Sequence, residues 1–435
     1  MKQNNRFMIA APWSNSGKTT LTLGFARYFK QQNKKVQLFK CGPDYIDTIH
    51  HTKASGLQSI NLDSVMMSEE HVKEQFEIYG NSSEISIVEG VMGLFDGAKK
   101  DKGSAAEISK LLNLPLILVV PAKAIAYSVA PLLFGLKNFD KNIQIAGVIF
   151  NFVNSESHFS FLKEACEDVG IPCFGYLPTN EKIQMPSRHL GLKIDQDFED
   201  LYEEAASHLG KHLDFEAILK ATNYTSNSIS KTKNPSFKQE KKIKIAIAQD
   251  AAFQFTYHEN IKQFQKLGEV TFFSPLKDKK LPEADLIYLA GGYPELYLEQ
   301  LAKNIEMKNS IRNAFEKEKR ILAECGGMMY LGKEIVNAKG EKFEMCGIFD
   351  FETSMENKKL HLGYRNVVFE NFSVWGHEFH YSNLGENTEK NIAEIFTSRE
   401  RKTNTDYFKK KNCTASYVHL YWGEKNTLHN LVYNL

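Results

Sequence analysis

The 435-residue chain has no apolar run long enough to span a bilayer. Its opening residues, Met1-Lys2-Gln3-Asn4-Asn5-Arg6, lack the apolar core of a signal peptide. Net charge is nearly absent. With 54 Lys and Arg against 53 Asp and Glu, the formal balance is +1, so bulk electrostatics favour neither nucleic acid nor an acidic membrane surface. Cysteine is sparse: Cys41, Cys166, Cys173, Cys325, Cys346 and Cys413 form no C-x-x-C pair and no zinc-type spacing. Reduced thiols in a cytoplasmic protein fit that pattern best. There is no internal repeat. What remains is ordinary globular composition, 42% hydrophobic and 25% charged, in a chain long enough for two or three domains.

Apolar strand-like runs alternate with amphipathic helix-like runs in both halves, which predicts two α/β domains with mainly parallel sheets. Strands are expected near 7–11, 36–40, 85–89, 116–120, 145–150 and 173–176. In the second half they are expected near 243–248, 269–273, 286–290, 320–323, 364–369, 374–381, 392–396 and 415–421. Residues 222–242 are polar and rich in Ser, Asn and Lys, and read as a linker between domains 1–221 and 243–435.

The stretch Ile321-Leu322-Ala323-Glu324-Cys325-Gly326-Gly327-Met328-Met329 is the most informative. A short apolar strand turns through one cysteine and two glycines into a helix-compatible run, which lifts Cys325 out of the sheet at a nucleophile elbow. A helix N-terminus behind the thiol is expected to lower its pKa, and the next N–H can hold an oxyanion. His419, in Ala415-Ser416-Tyr417-Val418-His419-Leu420, is the best candidate base, with His377 and His380 as further histidines on a β-like run. Gly291 and Gly292 follow the strand 286–290 and offer N–H groups for the same oxyanion hole, with the alternative that they only make a tight turn.

A second chemistry sits at the start. The strand Phe7–Ala11 runs into Pro12-Trp13-Ser14-Asn15-Ser16-Gly17-Lys18-Thr19-Thr20 and then a helical run, 21–30. This is a phosphate-binding loop whose first glycine is replaced by Pro12. Ser14, Ser16, Gly17, Lys18, Thr19 and Thr20 are the candidate ATP contacts, and the Thr19 hydroxyl a candidate Mg²⁺ ligand. Asp44, after the second strand, and Glu89, at the end of the third, are the further Mg²⁺ candidates. Tyr45, Asp47, Asp96 and Arg188 are candidate substrate contacts; a turn-capping role for Asp96 and a surface loop for Arg188 remain open.

Taken together, Ser16-Gly17-Lys18-Thr19-Thr20, Gly42-Pro43-Asp44-Tyr45-Ile46-Asp47, the stretch 89–97, Gly291-Gly292-Tyr293-Pro294-Glu295, Ala323-Glu324-Cys325-Gly326-Gly327 and Gly376-His377-Glu378-Phe379-His380-Tyr381-Ser382 resemble one family over nearly the whole chain. It is the cobyrinate a,c-diamide synthase family, glutamine-dependent amidotransferases of corrinoid biosynthesis. The resemblance implies an N-terminal P-loop domain similar to dethiobiotin synthetase and a C-terminal class I glutaminase domain, with Cys325 as nucleophile and His419 as its activating histidine. It implies ATP and Mg²⁺, with cobyrinic acid and glutamine as small-molecule substrates. It is compatible with a homodimer and implies neither nucleic acid nor membrane as partner. The acid that many class I glutaminases carry two residues after the histidine is Tyr421 here. The chain also departs from the family at Trp13 and Asn15, at Pro121 and at Trp375. A diamide synthase for another tetrapyrrole, such as nickel-sirohydrochlorin, is the alternative within the class. A non-catalytic ATP-switched scaffold is the alternative outside it.

Overall fold

The computed structural model describes residues 4–185, 197–224, 242–424 and 427–434. It divides into two compact units, Met1–Thr232 and Lys233–Leu435.

In the first unit the strands are β1 (Asn4–Ala10), β2 (Val36–Cys41), β3 (Ile60–Leu62), β4 (Ile85–Glu89), β5 (Leu116–Pro121), β6 (Ile145–Asn151), β7 (Cys173–Leu177) and β8 (Asn223–Tyr224). Seven of them form a sheet in the order β3-β2-β4-β1-β5-β6-β7. Those seven pair in parallel, and β8 adds antiparallel to β1. β1, β2, β4 and β5 are buried almost end to end because helices cover both faces, which is why their sequences read as continuous apolar runs. The chain steps from β1 to β2 on one side and later crosses to β5 on the other. That reversal opens a crevice at the carboxyl ends of β1, β4 and β5, where such sheets bind nucleotides.

In the second unit the strands are β9 (Ile243–Ala248), β10 (Gly268–Phe273), β11 (Leu286–Leu289), β12 (Arg320–Glu324), β13 (Glu334–Val336), β14 (Lys342–Glu344), β15 (Glu352–Ser354), β16 (His361–Val368), β17 (Ser373–His380), β18 (Asn383–Leu384), β19 (Glu394–Thr397), β20 (Tyr407–Lys410), β21 (Cys413–Ser416) and β22 (His419–Leu420). The central sheet runs β10-β9-β11-β12-β21-β20, parallel except for β20. One core, including Leu289, Ile311, Met328 and Phe349, packs on one face, and a second, including Ile247, Tyr288 and Trp422, on the other.

The structure differs from the sequence reading in several places, and the short parallel strand β3 is one that was not expected. Two further four-stranded sheets, β14-β13-β15-β18 and the antiparallel β19-β16-β17-β22, sit beside the parallel one. The single strand expected over 415–421 is two strands in two sheets. β21 ends the parallel sheet at Ser416, and after Tyr417 and Val418 the chain joins β17 as β22. Among the described residues no helix is long and apolar enough to cross a membrane.

Candidate active site

The second unit builds its site at the end of β12. Cys325 has φ 45° and ψ −107°, a strained left-handed corner, and starts the helix Gly326–Leu331. Its N–H donates to Ser416 O at 2.7 Å, and its Sγ lies 3.8 Å from Phe379 O. Gly326 packs directly on the turn after β11. A Cβ there would lie 2.7 Å from Pro294 Cδ and 3.1 Å from Gly292 N. A Cβ on Gly291 would lie 2.1 Å from His419 Cε1. Gly291 is thus seated against His419, and Gly326, next to Cys325, against Gly292 and Pro294; the glycines are needed because a side chain would not fit at either contact.

The expected low thiol pKa is not what the geometry gives. Burial pushes the Cys325 thiol above its ordinary value, the Glu295 charge adds to the rise, and only the Gly326 N–H pulls the other way. Desolvation of a thiolate outweighs one short helix's dipole. His419 is driven down to about 3, by burial first and then by His377 and His380, so it stands neutral at rest. Burial raises Glu295 to about 7 and Glu324 to about 8.

His377 lies opposite His419 in the β17–β22 register. His380 belongs to a separate network. Its Nε2 lies 2.9 Å from Glu378 Oε1, its Nδ1 2.9 Å from Ser382 O, and its ring stacks on Tyr417 at 3.6 Å. Arg365 Nε and the Thr405 hydroxyl also donate to Glu378. His361, Glu378 and His380 place ligand atoms within 4.8 Å of one another. The Arg365 guanidinium already neutralises that carboxylate, so the cluster works as an ion-pair network.

In the first unit, the phosphate loop bends through Asn15 (φ 61°) and Gly17 (φ 94°) into the helix Lys18–Gln31. Ser16 Oγ donates to Trp13 O at 2.8 Å, Ser14 is exposed, and Thr20 Oγ1 reaches Ile183 O at 3.5 Å. Lys18 Nζ donates to Met92 O at 2.6 Å. Burial lowers it to about 8, with Lys40 as the next cause. Thr19 Oγ1 donates to Glu89 Oε1 at 2.6 Å, so two oxygen donors suited to Mg²⁺ meet at the loop. Asp44 Oδ1 caps the N–H of Asp47 at 2.9 Å, and Asp47 pairs with Lys40 at 2.6 Å. Asp96 Oδ2 accepts the Gly93 N–H at 3.0 Å, the turn-capping role. Tyr45 is buried at the start of the helix Ile46–Ser55. Arg188 lies outside the described residues.

Three residues were missed. Lys40 Nζ bridges Asp47 and Glu89, the latter at 2.7 Å, and His51 Nε2 lies 2.6 Å from Glu89 Oε2. Burial works to raise the Glu89 carboxyl, but Lys40 and His51 outweigh it and hold it below the usual range. A lysine ending an apolar strand was the available signal for Lys40; nothing local marked His51. Asn151, at the end of β6, donates to Ser16 O at 3.0 Å and backs Gly17.

Comparison with known proteins gives a family for each half of the chain. A family model for a CobB/CobQ-like glutamine amidotransferase domain matches residues 244–427, and one for a CobQ/CobB/MinD/ParA nucleotide binding domain matches 7–192. The chain is 40% identical to a cobyrinate a,c-diamide synthase of Caldanaerobacter subterraneus subsp. tengcongensis, covering 95% of this chain and 94% of the relative. It is 38% identical to the enzyme of that name in Listeria innocua, covering 96% of each chain. The one in Picrophilus torridus is 39% identical, again with 96% of each covered.

Proposed function

The chain belongs to the cobyrinate a,c-diamide synthase family, and from that premise we propose which of its residues carry each half of the reaction. It is a glutamine-hydrolysing, amidating ligase of cobalamin biosynthesis with a nucleotide-binding N-terminal domain. The substrate we assign is cobyrinic acid, amidated at its a and c carboxylates. The domain boundaries we assign are 1–221 and 243–435, joined by 222–242.

Cys325 attacks the side-chain amide carbon of glutamine. Because its thiol is protonated at rest, neutral His419 takes the proton as the bond forms and passes it to the departing ammonia. The N–H groups of Gly292 and Gly326 receive the oxyanion. Water then releases glutamate from the thioester. In the first unit the phosphate loop and Lys18 hold ATP while a substrate carboxylate attacks its γ-phosphorus and ADP leaves. Ammonia displaces phosphate from the acyl phosphate to give the amide. Thr19 and Glu89, with Asp44, are the oxygens assigned to Mg²⁺, which when bound would offset charge on the phosphates. Tyr45, Asp47, Asp96 and Arg188 are assigned to the substrate side. The enzyme so read works in the cytoplasm on small molecules.

The seating of His419 on Gly291, and of the Cys325 corner through Gly326 on Gly292, carries this reading. Its test is ATP- and glutamine-dependent conversion of cobyrinic acid, followed by high-resolution mass spectrometry. Two successive small mass decreases, each matching replacement of a carboxyl OH by NH₂, are expected. Glutamate release without amidation of cobyrinic acid, but with amidation of another tetrapyrrole, would overturn the substrate and leave the chemistry standing.

A further inference from the structure

We propose that Glu324, the residue before the nucleophile, is the positioning residue for His419. This rests on the reading of Cys325 and His419 as the catalytic pair. Glu324 is buried at the carboxyl end of β12. Its Oε1 accepts the N–H of Leu420 at 2.9 Å, and its Oε2 accepts the Tyr288 hydroxyl at 2.6 Å. One side chain therefore ties the main chain beside the histidine to the main chain beside the cysteine.

The need for such a tie follows from the fold. β22 is two residues long and, among the described residues, lies at the edge of its sheet, paired with β17. On the β17 side Tyr421 N donates to Trp375 O at 3.0 Å, and Gly376 lets the backbones touch, since a Cβ there would lie 2.3 Å from His419 O. Alternate N–H groups of an edge strand point away from its ladder. Leu420 N–H is such a group, buried, and the Glu324 carboxyl is its partner. Tyr288 fixes that carboxyl from below and in turn meets the Thr256 hydroxyl at 3.4 Å. Loosening the clip frees residues 417–421, the connection between two sheets, and lets the imidazole leave its seat on Gly291.

Many class I glutaminases orient this histidine by an acid two residues later, which acts on the ring. Tyr421 stands there in this chain, stacked edge-to-face on Tyr257 at 5.5 Å. Glu324 orients the histidine through its main chain instead. The carboxyl serves both partners whether ionised or neutral, and burial, which raises it to about 8, favours the neutral acid. Glutamine at this position reproduces that neutral form, with its amide oxygen toward Leu420 and its NH₂ toward the Tyr288 oxygen. Aspartate is one methylene short and cannot reach.

The test compares Glu324→Gln and Glu324→Asp in full-length enzyme by glutamate release and by the rate of Cys325 alkylation with iodoacetamide, each in the native and His419→Asn backgrounds. Glu324→Gln should stay within about threefold of the native kcat. Glu324→Asp should lose roughly tenfold or more in kcat with KM within about twofold, and should change the alkylation rate less than about twofold once His419 is Asn. Full activity of Glu324→Asp overturns the proposal. So does an equal loss in both backgrounds, because that is what simple damage to the core would give. If the native enzyme itself releases no glutamate, the catalytic reading fails, while the alkylation cycle still decides whether Glu324 acts through His419.

Discussion

At Cys325 two local effects oppose each other and burial wins. The thiol lies 3% exposed, and the Glu295 carboxylate is the charge that raises it most. Replacing Glu295 with Gln removes that charge and should lower the Cys325 pKa. Alkylation should speed up by about three- to tenfold, the size of a shift of up to one unit. The gain should appear only above about pH 7, where the native carboxyl is ionised, and vanish below it. An equal gain at all pH values would sink this account. The same profile tests the base. His419 is neutral down to about 3, so in the Glu295→Gln variant, freed of that carboxyl's own titration, the rate should rise with pH as the thiol ionises, with no inflection near the ordinary histidine value of about 6.5.

Among elements, β16 and β17 carry the ion-pair network that holds Phe379 O against the cysteine. Burial alone would raise the Glu378 carboxyl, but hydrogen bonding from His380 and the Arg365 charge bring it to about 2. A depressed carboxylate contributes stability above its unfolded value, about 4.3, and loses it as pH falls toward 2. Arg365→Met strands the buried charge. It should cost about 3–5 kcal/mol at neutral pH and move the onset of acid unfolding upward, which chemical denaturation across pH would read. An unchanged acid limb would contradict it. Most parallel strands of both units were legible to within a few residues, because strands covered on both faces leave unbroken apolar runs; β3, only three residues long, was not. β22 was not. Residues 415–421 stay β-like throughout, and no Gly or Pro marks the place at Tyr417 and Val418 where the chain changes sheets. Cys325, His419 and the glycines were legible because strained corners and close approaches need particular residue types. Lys40, His51 and Glu324 were not, since ion pairs and clips between distant strands leave no spacing in the sequence.

At the scale of the molecule, each unit closes its own sheet and assembles its own reactive groups. In the mechanism proposed above the two chemistries are linked by ammonia, so variants should separate them. Cys325→Ser should abolish amidation supported by glutamine and leave amidation supported by ammonium chloride within about twofold, since the thiol has no part in the phosphoryl transfer proposed above. Lys18→Ala should act the other way. Lys18 is held by Met92 O beside the acid cluster, and its loss removes a cation from the phosphoryl-transfer site. Amidation from either nitrogen source should fall by about 10²–10³-fold, the range for losing one electrostatic contact to a transition state. Glutamate release without ATP should stay within about threefold. Loss of ammonia-supported amidation in Cys325→Ser would show the cysteine acting in synthesis itself. Loss of glutamate release in Lys18→Ala would show that the nucleotide site controls the glutaminase, and the two units would then be one coupled machine rather than two enzymes exchanging a product.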